Sequence, residues 1–493
     1  MRESDIARSL LNQYLTIPSH QFLVITLCYC WALVPLNVLA EPAAMPGHEL
    51  EGGRLDVNIN HYDITLSDPP LPLRAAGRRV FTTPFNKADG HGDGPVDPYR
   101  PDLPGGRPTL QGNGTFLRFN GLDSQTCLEC HSVLSNRTIP ATFTVGGAGS
   151  GSSNAFPGVT DPDVDDSEGR GYARIGGRMI NPLALFGVGG VALLGKEMTE
   201  DLQALRARAL RHPGRKVNLI AKGVRFGRIV CASDGSCDTA EVEGIDHDLI
   251  VRPLGRKGEF RSTREFDQDA MQFHLGMQPV EIVGEGSDPD GDGVTDEVSV
   301  GQMSVLEIFL NSLERPVMLP RTPREEQGMR LFKRIGCAAC HIPFLETRSR
   351  WLNLSAPDIA AIPGVSHYYA IDLTANPTNF ESSGRGVKVP LFADLKRHDM
   401  GPELAEETGS DLDPLFTTAK LWGVADSAPY MHDGRALTLS DAIALHGGEA
   451  QRAAAAFARL PKHRQLAVLA FLGTLRNPAN VGDDLDQFDA SNE

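Results

Sequence analysis

A mainly α-helical chain with long loops, built from two related halves, is predicted by three features of this 493-residue sequence. The pattern C-x-x-C-H occurs twice, as Cys127-Leu-Glu-Cys130-His131 and Cys337-Ala-Ala-Cys340-His341, with the two histidines 210 positions apart. An internal repeat accompanies it: Phe186-Gly187-Val188 lies opposite Trp422-Gly423-Val424 at an offset of 236. Helix caps are clear in the second half, whereas strand patterns are few.

The chain is 41% hydrophobic and 22% charged, which suits two or three globular domains rather than a disordered polymer. A net charge of −16 disfavours nucleic acid and favours a small or basic partner protein. Residues 1–40 read as a signal peptide: the apolar run 22–40 ends in Val38-Leu39-Ala40, a small-residue cleavage pattern. An uncleaved anchor is the competing reading of that run, weakened by Pro35 and Asn37. Residues 41–115, dense in Pro, Gly and Asp, read as an irregular extension. The first half follows at 116–318 and the second at 319–485.

Within the first half, KVNLIA and GRIVCA, between Lys216 and Ala232, form a small β insertion, closed by a Cys231–Cys237 disulfide. In the second, Thr322-Pro-Arg-Glu325 is a capping box with proline in the first helical position, and its helix leads into Cys337. Thr438 caps a further helix that stops at Gly447-Gly448. A last amphipathic helix starts near Pro461, with Leu466, Leu469, Ala470 and Gly473 on one face. Between the halves, Asp288, Asp290 and Asp292 alternate ahead of Gly293 in a stretch, 288–299, that reads either as half of a calcium loop or as a solvated acidic turn. The twelfth position, where a bidentate acid belongs, is Ser299.

Export leaves six of the eight cysteines in the mature chain, in three close pairs, and an oxidising compartment gives each pair a covalent fate. In C-x-x-C-H the thiols add to haem vinyl groups as thioethers and the adjacent imidazole binds the iron. A zinc site needs four ligands close together, and a disulfide oxidoreductase needs a β-α-β setting; neither is present. Two matches at equivalent places in a repeat predict two covalent haem c groups and two cytochrome c-like domains.

The iron's sixth position separates an electron carrier from a reaction site. Most histidines lack special context, including His247, His367, His398 and His463. His446 ends an amphipathic helix after YMHDGRALTLSDAI, at a spacing that brings it over a haem bound at Cys337, Cys340 and His341.

The run 421–450, LWGVADSAPYMHDGRALTLSDAIALHGGEA, together with the paired CLECH and CAACH motifs, resembles the bacterial di-haem cytochrome c peroxidase and MauG superfamily, and within it the di-haem oxidoreductase family. The resemblance spans roughly residues 110–480. In that superfamily the position fourteen residues after the histidine of M-H-D-G supplies the distal ligand of the second haem, which here is His446. The resemblance thus implies a bis-histidine relay haem on His341 and His446. It also implies a reactive first haem on Cys127, Cys130 and His131, where FGVGGVALLGKEMTED lacks the M-H-D-G motif. Family peroxidases place an acid there; Glu197 is the candidate, with a first-turn helix carboxylate as its alternative. Arg435 is the candidate partner of a haem propionate, or a surface arginine. Trp422 and Trp351 are the candidates for an inter-haem tryptophan, with core packing as the alternative role.

The expected activity is reduction of hydrogen peroxide by an exported, periplasmic protein, with electrons from a small cytochrome or copper protein, no nucleic acid and no lasting membrane insertion. Three alternatives stay open. A pure electron-transfer cytochrome would use His212, His274 or Met277 as a sixth ligand of the first haem. A MauG-like enzyme would oxidise a substrate protein, and a rubber-oxygenase-like enzyme would bind oxygen beside an apolar channel.

Overall fold

The computed structural model describes residues 54–92, 126–131, 160–163, 172–175, 181–356, 366–406, 409–479 and 481–490. The expected signal peptide and cleavage site, and the parts of the 41–115 extension other than 54–92, lie outside them. Ten helices occur among the described residues: α1 (Pro70–Thr82), α2 (Val188–Leu210), α3 (Thr263–Leu275), α4 (Val280–Val283), α5 (Val300–Asn311), α6 (Pro323–Arg334), α7 (Leu439–Ala444), α8 (Gln451–Ala458), α9 (Lys462–Leu472) and α10 (Asp483–Ala490). Six sheets of two or three strands accompany them, more than the sequence patterns suggest. No helix among the described residues is long and apolar enough to cross a membrane.

The extension departs from its irregular expectation. Residues 70–82 form α1 because Pro70 and Pro72 fall in the first turn, where the missing N–H groups have no intrahelical acceptor to lose. Leu73, Ala75, Val80 and Phe81 are buried on it. Gly77 lets α1 approach α5 so closely that a Cβ there would collide with the Val305 carbonyl.

Two apolar clusters organise the described chain. The larger gathers α1, α2, α5 and the insertion, and it also takes in Leu352, Leu373, Val389 and Leu391 from 345–395. The smaller is built from Leu331 and Phe332 on α6, Phe392, Val424, Phe457, and Ala467, Val468 and Phe471 on α9, with Cys337 packed against it. The stretch expected as a separate C-terminal domain, 319–485, therefore contributes to both clusters.

The insertion pairs Lys216–Ala221 with Val224–Cys231 antiparallel, and Cys231 and Cys237 form a disulfide, as expected. Thr322 receives the reciprocal capping contact, its backbone N–H donating to Glu325 Oε2 at 2.6 Å, and α6 starts at Pro323. The face of α9 is corrected: Ala467, Val468, Phe471 and Leu472 are buried, whereas Leu466 is exposed. The cause is Gly328 on α6, which rides directly on the Ala467 carbonyl.

The repeat has a geometric counterpart. Gly187 and Gly423 both cap a helical turn at φ 74°, a left-handed conformation natural to glycine. The two copies also touch, because a Cβ on Gly187 would lie 2.9 Å from the Trp422 ring.

Gly328→Ala forces α6 and α9 apart and should destabilise the protein by about 2 kcal/mol in denaturant unfolding.

Candidate functional site

The second C-x-x-C-H motif begins where α6 ends. Gly336, at φ 102°, turns the chain into the single 3-10 turn Cys337–Ala339, and the His341 N–H donates to the Cys337 carbonyl at 3.0 Å. Cys337 and Cys340 are thiols, not joined to each other. Burial and the neighbouring Cys340 push the Cys337 thiol up to about 11, so it is protonated at neutral pH and a poor exchange nucleophile.

His341 Nδ1 donates to the Phe392 carbonyl at 3.0 Å, and His446 Nδ1 donates to the Ala442 carbonyl at 2.7 Å. Each bond fixes the tautomer and leaves Nε2 with its lone pair available. The ring centres stand 6.4 Å apart. Burial, with the neighbouring His446 imidazole adding to it, lowers His341 to about 4, and burial lowers His446; both shifts favour the neutral rings that metal ligands must be. Two imidazoles binding one metal through Nε2 at about 2 Å each put their ring centres roughly 6 Å apart. The pair fits a single iron between them.

The first motif is set differently. Thr126 caps its turn and donates its hydroxyl to the Phe81 carbonyl at 3.0 Å, hanging the motif on α1. Cys127 and Cys130 are thiols. The His131 ring is buried, which lowers it to about 4, and hydrogen-bonds the Leu183 carbonyl, the counterpart of Phe392 at the second site. Leu183 lines a cavity of about 30 Å³ whose walls include Val188, Val191, Leu254, Asp267, Lys420 and Trp422. Among its mainly apolar walls stand the polar groups of Asp267, Lys420, Trp422 and Thr263. Asp267 Oδ2 and Trp422 Nε1 have no hydrogen-bond partner among the described residues. Burial and the Glu307 charge, against the opposing Arg264 charge, push the Asp267 carboxyl well above its usual range, a shift that favours its protonated form. Burial lowers Lys420 to about 8, and its ammonium donates to the Pro253 carbonyl at 3.1 Å.

Residues 312–475 match the family model described as "Di-haem oxidoreductase, putative peroxidase". Those residues, about a third of the chain, are what is similar to the di-haem oxidoreductase family. The match contains Cys337, Cys340, His341 and His446, and stops short of the first motif. Among solved structures, the chain is similar to hydrazine synthase of Kuenenia stuttgartiensis at 15% identity, over 93% of this chain and 100% of that one, with a TM-score of 0.32. It is also similar at 15% identity to a MauG-like protein associated with microbial copper homeostasis, over 67% of this chain and 97% of that one, with a TM-score of 0.28. Scores of that size carry no argument about fold. No curated protein matches the chain.

The M-H-D-G loop is stapled to the segment that holds His131. Asn181 Nδ2 donates to the Pro429 carbonyl at 2.7 Å and to the Met431 carbonyl at 3.0 Å, and the Asn181 N–H donates to the His432 carbonyl. His432 stacks on Phe416 at 4.5 Å, and the Lys257 ammonium sits 3.4 Å over the Phe416 ring. Arg435 is half-exposed, ion-paired with Asp433 and donating to the Glu403 carbonyl at 2.8 Å.

Glu197 does not line the cavity. Its two carboxylate oxygens accept from the Arg348 and Ser349 backbone N–H groups and from the buried Lys222 ammonium. With both oxygens accepting from protein donors, it anchors the 347–349 turn to α2. Of the rival ligands, His212 is exposed beyond α2, His274 lies in the last turn of α3, and Met277 is buried in the larger cluster; none lines the cavity. Trp351 is exposed under Arg350.

His398, which the sequence leaves without context, is buried beside Cys340, its Nδ1 3.9 Å from the sulfur. Its Nε2 bonds Asp394 at 2.8 Å and its Nδ1 bonds Glu449 at 2.7 Å. Burial opposes the charge, but Asp394, Cys340 and Glu449 raise it to about 11, which makes a fixed cation at the motif. Only the Asp394-x-x-x-His398 spacing hints at this, too common a pattern to single out.

Two outcomes are expected. Glu197→Ala strands the Lys222 charge and two amides and should cost about 3 kcal/mol in denaturant unfolding, without lowering peroxide turnover per folded molecule. His446→Ala should convert one low-spin haem signal to high spin in EPR and leave the other haem unchanged.

Proposed function

We propose that this chain is an exported, covalently loaded di-haem c oxidoreductase that reduces hydrogen peroxide at the first motif with electrons received at the second. The observation that carries this reading is the asymmetry between the two sites. At the second motif a neutral imidazole stands opposite His341. At the first, a cavity with a buried acid, Asp267, lies beside the Leu183 carbonyl that His131 holds.

Cys127 and Cys130 on one side, and Cys337 and Cys340 on the other, supply the sulfurs for thioether bonds, and His131 and His341 the proximal nitrogens. His446 closes the second iron, which suits a relay to a small external cytochrome or copper protein. Haem supplies the one-electron chemistry: two electrons and two protons convert hydrogen peroxide into two waters. The chain supplies the proton traffic. Asp267 holds a proton at its carboxyl in an apolar cavity, where it can be given to a leaving oxygen and recovered, as general acid–base catalysis requires. The Trp422 indole N–H, which has no partner among the described residues, is a fixed donor into the same space, and the nearby Lys420 ammonium favours any negative charge that develops there. Asp267 therefore takes the role the sequence assigns to Glu197.

An optical and EPR redox titration, with and without peroxide, tests the assignment. One iron should be high-spin in at least one redox state and react with peroxide. Asp267→Asn should lower peroxide turnover by about 10²-fold while leaving haem content and the low-spin signal intact. Two low-spin irons inert to peroxide in every state would sink the peroxidase reading, and full turnover in Asp267→Asn would sink the role of that residue.

A further inference from the structure

His398 stands between the two segments that present the facing imidazoles of the second motif. Its Nε2–H donates to Asp394 Oδ2 at 2.8 Å and its Nδ1–H to Glu449 Oε2 at 2.7 Å. Carboxylates at both nitrogens call for a proton on each, so the ring makes two charge-assisted hydrogen bonds, the short and strong kind. Asp394 comes two residues after Phe392, whose carbonyl accepts from His341 Nδ1 at 3.0 Å. Glu449 comes three residues after His446. One ring therefore bridges the segment that holds His341 and the segment that carries His446.

Both ends of the bridge are themselves held. Asp394 is buried, and its Oδ1 accepts from the Thr418 hydroxyl at 2.7 Å and from the Lys396 N–H at 3.2 Å. Glu449 Oε1 accepts from the Asp399 N–H at 3.0 Å, and a Cβ on Gly448 would collide with the Asp399 carbonyl. His398 itself projects from a strand, Arg397–Asp399, paired antiparallel with Leu415–Thr417. His446 has less support of its own. It lies just beyond the six-residue α7, and its Nδ1 bond to the Ala442 carbonyl turns the ring without setting how far it stands from His341. The ring centres are 6.4 Å apart, and metal–ligand bonds tolerate only about 0.2 Å of error.

We propose that His398 is a positioning residue for the second iron: its bridge from Asp394 to Glu449 sets the separation of His341 and His446 and keeps His446 on the metal. This rests on the bis-histidine reading of the second motif. Breaking the bridge frees the 446–450 segment from residue 394, so the His446 ring leaves the iron more often.

The test uses the full haem-loaded protein, with EPR of the oxidised form and carbon monoxide uptake by the reduced form. Carbon monoxide enters the second haem only when His446 leaves, and His446→Ala identifies the signals of that haem. Loss of a charge-assisted hydrogen bond shifts an equilibrium about tenfold, so His398→Ala should take up carbon monoxide at the second haem about tenfold faster than wild type. Glu449→Ala should move the rate the same way by less, because Glu449 is exposed and its bond is partly screened by water. Glu449→Gln, which keeps an acceptor for Nδ1, should match wild type, and the first haem's EPR signal should stay unchanged throughout. The exposed position of Glu449 keeps the test decisive if His398→Ala fails to fold. A wild-type rate in Glu449→Ala or in folded His398→Ala, equal acceleration in Glu449→Gln and Glu449→Ala, or equal disturbance of both haems overturns the proposal alone. An unchanged low-spin signal in His446→Ala overturns the bis-histidine reading and the proposal with it.

Discussion

The hydrogen bond from His341 to the Phe392 carbonyl is the constraint on which the second site rests. It selects the imidazole tautomer, aims Nε2 at His446 and ties the motif to a segment that belongs to both apolar clusters. Val387, Val389, Leu391, Ala393 and Leu395 pack into the larger cluster, while Phe392 alone turns into the smaller one, at φ 53°. One residue held in a left-handed conformation is thus positioned by the core of the whole chain, and it sets the ligand geometry.

The same device, a backbone carbonyl on the proximal imidazole, recurs at His131 through Leu183. What differs is the other side. At the second site α7 delivers His446, whose own Nδ1 is satisfied within its helix turn by Ala442. At the first, α2 continues unbroken from Val188 to Leu210, and the space beside it is bounded by Asp267 from α3 and by Lys420 and Trp422 from the second repeat. Each half therefore completes the surroundings of the other, with Gly187 against Trp422 as the point of contact.

Buried ionisable groups separate into two kinds. Glu197 and His398 are satisfied on every side and act as fixed charges in the frame, Glu197 by three donors and His398 by two carboxylates. Asp267 has an oxygen with no hydrogen-bond partner among the described residues, in a cavity where burial raises its carboxyl well above the usual range. Satisfaction, rather than burial alone, distinguishes a supporting residue from one poised for proton transfer.

The sequence by itself determined whatever is local or covalent in character. The two C-x-x-C-H motifs, the Thr322 and Thr438 caps, the Cys231–Cys237 disulfide and the fourteen-residue step to His446 all depend on short spacings that the chain carries with it. The tertiary structure alone decided which acid faces which space. Glu197 and Asp267 are both carboxylates on helices, and no periodicity distinguishes one that meets Lys222 and two amides from one that meets a void. It also decided that 70–82 is a helix, because the prolines that look like breakers land in its first turn, and that Ala467 rather than Leu466 faces α6, because Gly328 admits only a close backbone approach. Side-chain partners far apart in the chain come from packing, and packing is a property of all the segments together.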